Sequence, residues 1–243
     1  IKKILEPSCG SCEYISQLKE KDVHITGIEL NKIIFESIKD DEAENITFIN
    51  ADYLAYTLDS KFDLIIGNPP YFVMSKKDVE SKYLDYFDGR PNIFILFIIK
   101  SLELLNKNGI LSFVLPRNFL NSLYYDKTRK YIYNNYTIID IMECNDSYIE
   151  TQQATVIMII QNKKPTKKND RFSVCKYSFI VFGPQDNIKN LKELYKGSRS
   201  LTELGFRVSV GKVVWNECKK QLTDDSSKTL LVYSSDIKDN ALS

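Results

Sequence analysis

Apolar positions along the chain repeat with two different periods. Short runs rich in branched side chains, Ile1–Glu6, Val23–Ile28, Ile46–Ile49, Phe62–Ile66, Ile110–Leu115, Ile138–Met142 and Thr155–Ile160, read as strands. Between them, Tyr14, Ile15 and Leu18, then Ile33, Ile34 and Ile38, then Ile93–Leu105 and Tyr124–Tyr133 fall at helical spacing. Asn31 stands where an N-cap belongs, and Asn108-Gly109 where the long apolar helix is expected to stop. Strands alternating with helices predict an α/β fold, a doubly wound, mainly parallel seven-stranded sheet covered on both faces. The last two strands have no helix between them and are expected to be antiparallel. Val73–Gly89 is charged and poor in core residues, so it reads as a surface loop that orders on binding.

The pattern changes after Gln161. Lys163, Lys164, Lys167, Lys168 and Arg171 form a basic run, either a solvated linker or a strip that contacts phosphate. Beyond it, Phe172–Phe182 reads as β structure, Ile188–Tyr195 as a short helix, and Arg207–Val214 as a strand followed by Trp215. The expected organisation is a first domain over 1–162, a connecting segment over 163–203 and the start of a second, α+β domain over 204–243. Ile1 already lies in a core strand, so residues upstream of it are expected in the intact protein.

Composition narrows the chemistry. Hydrophobic residues are 43% and charged residues 27% of the 243, ordinary values for a globular protein. A formal net charge of +1 gives no global field for a polyanion, so a nucleic acid would have to meet a local basic patch. Five scattered cysteines (Cys9, Cys12, Cys144, Cys175, Cys218) favour reduced thiols. Cys9-x-x-Cys12 has no second ligand pair and His24 is the single histidine, so no metal is expected. No run approaches the roughly 20 apolar residues of a membrane span, and no secretory signal is visible, so no membrane partner is expected.

The candidate chemistry lies at strand ends. The run Asp63–Gly67 stops at Asn68-Pro69-Pro70-Tyr71, where two prolines hold the backbone extended and present Tyr71 at a carboxyl edge. Glu6-Pro7-Ser8-Cys9-Gly10, Glu29 and Asp52 end the first, second and third strands. In a doubly wound sheet these share one edge, around the point where the strand order reverses. Glu29 follows Gly10 by about 20 residues, the separation at which an acidic residue accepts hydrogen bonds from a ribose diol. The first loop can present backbone amides to an anionic group.

With these residues, nearly the whole chain resembles the adenine-specific, amino-group DNA methyltransferases that use S-adenosylmethionine, in the class whose cofactor motif precedes the catalytic one. The resemblance implies a Rossmann-like methyltransferase fold with Glu6, Pro7, Ser8, Cys9 and Gly10 in the cofactor loop. It also implies Glu29 at the ribose, Asp52 at the adenine, Leu30 and Tyr53 as further cofactor-binding residues, and Asn68 shared between cofactor and catalysis. Asn68, Pro69, Pro70 and Tyr71 match the catalytic motif, and Gly109–Asn118 the strand and turn after the long helix. Tyr148 matches an aromatic that packs, with Tyr71, on an extruded base, and Leu204–Ile237 resembles the opening of a target-recognition domain. The implied partners are double-stranded DNA and a restriction endonuclease, in the cytoplasm of a bacterium or the host of a large DNA virus.

The implied reaction suits these residue types. The Asn68 side-chain oxygen and the Pro69 carbonyl would each accept one hydrogen of the target amine, favouring a pyramidal nitrogen, and a flipped base would stack on Tyr71. Cys12 stands where the family usually has glycine, a substitution expected to cost roughly 1–2 kcal/mol if φ is positive there. A glutamine side chain in a protein, or an adenine in RNA, presents a similar amine. A non-catalytic DNA-binding subunit that keeps the fold is the reading from another class.

Overall fold

Burial follows the apolar runs, and in β1 (Lys3–Glu6) successive residues serve opposite sides of a sheet. Leu5 packs with Ile28, Ile65, Phe94 and Ile98 on one side, while Ile4 packs with Ile15, Ile25, Ile38 and Phe48 on the other. The computed structural model describes residues 1–18, 22–41, 43–144, 154–165, 167–207, 209, 213, 218–232, 237–238 and 241–242. Beside β1 stand β2 (His24–Glu29), β3 (Ile46–Asn50), β4 (Phe62–Gly67), β5 (Leu105–Pro116), β6 (Thr137–Glu143) and β7 (Thr155–Gln161). They form a seven-stranded sheet in the order β3-β2-β1-β4-β5-β7-β6. The first five strands are parallel, and β7 is antiparallel to both its neighbours. Helices α1 (Glu13–Leu18), α2 (Lys32–Ile38), α3 (Ile93–Glu103) and α4 (Asp126–Asn135) connect them. The strand order reverses between β1 and β4, which opens a crevice at their carboxyl ends.

Four local expectations change. In α2 the buried residue is Ile38, while Ile33 is 82% exposed; the Asn31 side chain caps the amides of Ile33 and Ile34 and so sets where the helix begins. Asn108-Gly109 does not end a helix: α3 stops at Glu103, and the pair sits inside β5. Asn108 has φ of +64°, the register against β4 shifts between Phe62 and Leu64, and a Cβ on Gly109 would lie 2.9 Å from the Phe62 carbonyl. Asparagine tolerates the left-handed turn and glycine the close approach, so the pair makes a bulge. Residues 73–89 are not a bare loop, because Val79, Tyr83 and Phe87 are buried in the core under two 3-10 turns.

The fourth change concerns residues 163–203, which are folded over most of their length. The strands β8 (Ser173–Lys176) and β9 (Phe179–Phe182) and helix α5 (Gln185–Tyr195) belong to a compact unit spanning Ile1–Lys196. Arg129, fully buried on α4, holds them: its Nε donates to the Ile180 carbonyl at 2.6 Å, and its Nη1 to the Phe119 and Ser122 carbonyls at 2.8 Å each. Lys163, Lys164 and Lys167 of the basic run are exposed, but Phe172, Val174, Ile180, Phe182 and Ile188 behind it supply core. A second unit, Gly197–Ser243, contains a 3-10 turn at Lys219–Gln221 and a short antiparallel pair, β10 (Ile237–Lys238) with β11 (Ala241–Leu242). Trp215 and most of the strand expected over 207–214 lie outside the described residues. Among the described residues, no helix is long and apolar enough to cross a membrane.

Candidate active site

The sheet brings four of the predicted strand ends side by side. Glu6 ends β1, Glu29 ends β2, Asp52 follows β3, and Asn68 follows β4. The Ser8 hydroxyl donates to the Asn68 backbone carbonyl at 3.2 Å, tying the first loop to the Asn-Pro-Pro-Tyr segment. Pro7 abuts the same strand, since a Cβ on Gly67 would be 3.6 Å from its ring. Pro7 and Pro69 are buried, whereas Asn68 is exposed and Tyr71 half-buried.

Glu29 organises the neighbouring strand end. Its two carboxylate oxygens accept separately, one from the Gly10 amide at 3.0 Å and one from the Asn31 amide at 2.7 Å. The Gly10 amide is therefore engaged by Glu29, and the loop does not simply present it to a ligand. The Asn50 side chain donates to the Glu29 carbonyl at 2.8 Å, which holds the end of β3 against the end of β2. Leu30 beside Glu29 is 69% exposed, an apolar surface at the mouth of the crevice. The Asp52 carboxylate is exposed and accepts from the Leu54 amide at 2.9 Å.

Cys12 adopts φ of +63°, the left-handed conformation that raises the cost of a side chain, and Gly10 has φ of +51°. Both Cys9 and Cys12 are buried thiols. The hydrogen bond to Cys12, followed by burial, pushes the Cys9 thiol far up, so it stays protonated. Glu6 is 2% exposed, and burial raises its carboxyl to about 8, with smaller contributions from Cys12 and Glu13. Its Oε2 has no hydrogen-bond partner among the described residues.

One predicted residue stands elsewhere, and one is not described. The Tyr53 side chain does not reach the crevice: it is buried in the core at 2% exposure, packs on Phe97 with ring centroids 4.9 Å apart, and bonds through its hydroxyl to Ser101 at 2.9 Å. An aromatic ring follows the strand-end acid because the turn needs a core anchor. Tyr148 lies outside the described residues. Residues absent from the sequence reading also contribute. Lys100, partly buried on α3, donates to the carbonyls of Leu54 at 3.0 Å and Tyr56 at 2.7 Å and so caps the turn that carries Asp52. Its signal was a lysine directly after the seven apolar residues that open the helix. The Val114 carbonyl of β5 accepts from the Tyr71 hydroxyl at 2.7 Å, a partner no sequence pattern marks.

The chain is similar to known proteins. Residues 9–149, more than half of the chain, match the family described as Eco57I restriction-modification methylase. The chain belongs to that family. Modification methylase CviBIII of Paramecium bursaria Chlorella virus NC1A is 30% identical over 98% of this chain and 60% of that protein. Type II methyltransferase M.AccI of Acinetobacter calcoaceticus is 29% identical over 66% of this chain and 32% of that protein. The chain thus spans less than two-thirds of the length of these curated relatives. A class I S-adenosylmethionine-dependent methyltransferase from Listeria monocytogenes has a similar fold, with a TM-score of 0.60 at 22% identity over 68% of this chain and 56% of that one.

Proposed function

We propose that the protein is a DNA methyltransferase that moves a methyl group from S-adenosylmethionine to the N6 amine of an adenine flipped out of duplex DNA. The observation that carries this reading is the Ser8–Asn68 link, which couples a nucleoside-type crevice to a rigid amide-and-proline segment. Family membership supports it, as do relatives whose names describe methyltransferases and a modification methylase.

The residues present fit the cofactor. Space over Gly10 is open, with nothing within 4 Å of a Cβ placed there. Glu29 would hold the ribose diol with its remaining acceptor capacity, Leu30 would cover a face of the adenine, and Asp52 would accept from its amine. Glu6 Oε2, unpartnered among the described residues, suits the ammonium group of the methionine moiety. When bound, the cofactor supplies an electrophilic methyl on a sulfonium. Asn68 Oδ1 and the Pro69 carbonyl would accept the two amine hydrogens and stabilise the positive charge that develops as nitrogen attacks. The buried Pro69 and the Pro-Pro pair hold both acceptors in place, so little reorganisation is needed. Base extrusion is required because the amine is inaccessible in a stacked duplex, and the Tyr71 ring offers a stacking face, with Tyr148 assigned to the opposite one. Exposed Lys76, Lys77 and Arg90 flank this segment, and the bridge between Val73 and Asn92 brings the two stretches together. They would supply the local charge for phosphate.

On the same reading, catalysis belongs to residues 1–162 and the stretch 204–243 opens a target-recognition domain. A cognate restriction endonuclease and a cytoplasmic setting follow from a restriction-modification role. The test is incubation of the full-length protein with methyl-labelled cofactor and mixed duplex DNA, with 6-methyladenine as the expected product. Label in RNA, in protein glutamine or nowhere would refute it. Asn68→Ala is expected to lower transfer by at least about 100-fold while cofactor affinity stays within a few-fold.

A further inference from the structure

The Tyr71 hydroxyl lies within hydrogen-bond reach of two groups, the Val114 carbonyl at 2.7 Å and the Asn68 side-chain carboxamide. A phenol has one proton to give. If that proton goes to Asn68, the phenol oxygen and the Val114 carbonyl oxygen face each other with no hydrogen between them. If it goes to Val114, Asn68 can meet the phenol oxygen favourably only with its NH2 group. The two ends of a carboxamide have nearly the same shape, and a half-turn of its terminal torsion exchanges them without disturbing packing. One arrangement therefore satisfies all three groups: Asn68 Nδ2–H to the Tyr71 oxygen, and Tyr71 O–H to the Val114 carbonyl.

We propose that Tyr71 is a positioning residue whose hydroxyl locks the Asn68 carboxamide with Oδ1 turned outward, toward the amine it must recognise. This rests on the reading that Asn68 accepts a hydrogen from the substrate amine. The opposite orientation would aim an NH2 donor at another NH2 donor and defeat recognition. The lock is anchored independently of substrate. Val114 lies on β5, which pairs with β4 through Gly67 and Phe113 one residue before each partner, and the Tyr71 ring meets Phe94 edge-on at 6.0 Å and 88°. The outer face of Asn68 is solvent-exposed. Tyr71 thus has a second task beside stacking, one that a phenylalanine could not perform.

Tyr71→Phe in the full-length protein separates the two tasks because it keeps the ring. Expected are a fall in kcat of about 10-fold, the worth of one hydrogen bond, and unchanged KM for DNA and cofactor. Tyr71→Ala should also raise KM for DNA. An unchanged kcat in Tyr71→Phe, or a KM for DNA that rises as much as in Tyr71→Ala, would overturn the lock. A second readout does not depend on turnover. With 15N-labelled asparagine, the Asn68 side-chain protons should exchange slowly with water in the wild type and faster in Tyr71→Phe. Identical exchange would overturn the lock even in an active enzyme. A wild-type protein that methylates no adenine would refute the proposed reaction, while this exchange experiment still decides the hydrogen-bond arrangement.

Discussion

Glu6→Gln tests whether the acid at the end of β1 is held neutral. The carboxyl is 2% exposed, its Oε2 is unpartnered among the described residues, and burial raises it from 4.5 to about 8. At about 1.4 kcal/mol for each tenfold change in proton affinity, that rise is worth at most roughly 5 kcal/mol. Its sign follows from the direction. Below pH 4.5 both folded and unfolded chains carry the proton. Between 4.5 and about 8 the unfolded chain has released it and the folded chain has not, so stability falls as pH rises through this window and levels off above it. Glutamine keeps the shape and an acceptor oxygen but does not titrate. Its buried NH2 brings a constant cost of about 1–3 kcal/mol, so the informative quantity is the change in the difference with pH, not the offset. Urea unfolding of both proteins from pH 4.5 to 9 should show wild type losing about 2–5 kcal/mol relative to Glu6→Gln across the range. Parallel curves would refute a neutral Glu6. The same neutrality predicts that binding a cation at this position releases a proton. Wild-type affinity for S-adenosylmethionine should then rise with pH toward 8, and that of Glu6→Gln should not.

Other consequences can be checked separately. In Glu29→Gln only one oxygen remains to serve the Gly10 and Asn31 amides, so cofactor affinity by calorimetry should weaken about 10- to 100-fold, matching a lost charge-assisted hydrogen bond of roughly 1.5–3 kcal/mol. An unchanged affinity would remove Glu29 from the site. At Cys12, where φ is +63°, glycine should be more stable than alanine by about 1 kcal/mol in thermal unfolding, because alanine keeps the strain and still loses the thiol packing. The reverse order would mean that the loop relaxes. Arg129→Met leaves the Ile180, Phe119 and Ser122 carbonyls unmatched and should cost roughly 3–5 kcal/mol, seen as a lower melting temperature and early proteolysis within 173–196. A melting temperature within a degree of wild type would show that the hairpin is held by its apolar side chains alone.

The local grammar of the chain was sufficient for the seven strands of the main sheet. Branched apolar runs mark β1 to β7, Asn31 caps α2 as a short polar side chain does, and the Pro-Pro pair ends β4 where an amide donor is lost. These signals act over a few residues, so they survive without knowledge of the fold. Alternation also implied a parallel sheet, and with it a shared edge for Glu6, Glu29, Asp52 and Asn68. Folding of 163–196 was harder to see, because exposed Lys163, Lys164, Lys167 and Lys189 weight its composition toward solvent and its anchor, Arg129, lies far upstream.

The roles of individual side chains were decided only in three dimensions. Tyr53 and Tyr71 both follow strand ends as half-polar aromatics, yet one hydroxyl is buried on Ser101 and the other reaches Val114 beside Asn68. Ser8 meets Asn68, and Glu29 meets Gly10, across sequence separations of 60 and 19 residues. Such contacts depend on strand order, and the reversal between β1 and β4 places the first loop against the fourth strand. A hydrogen bond responds to tenths of an ångström and to angle, whereas hydrophobic patterning specifies only which face is buried. The sequence alone therefore identifies the strand ends and the residue types gathered there, while tertiary structure determines which donor meets which acceptor.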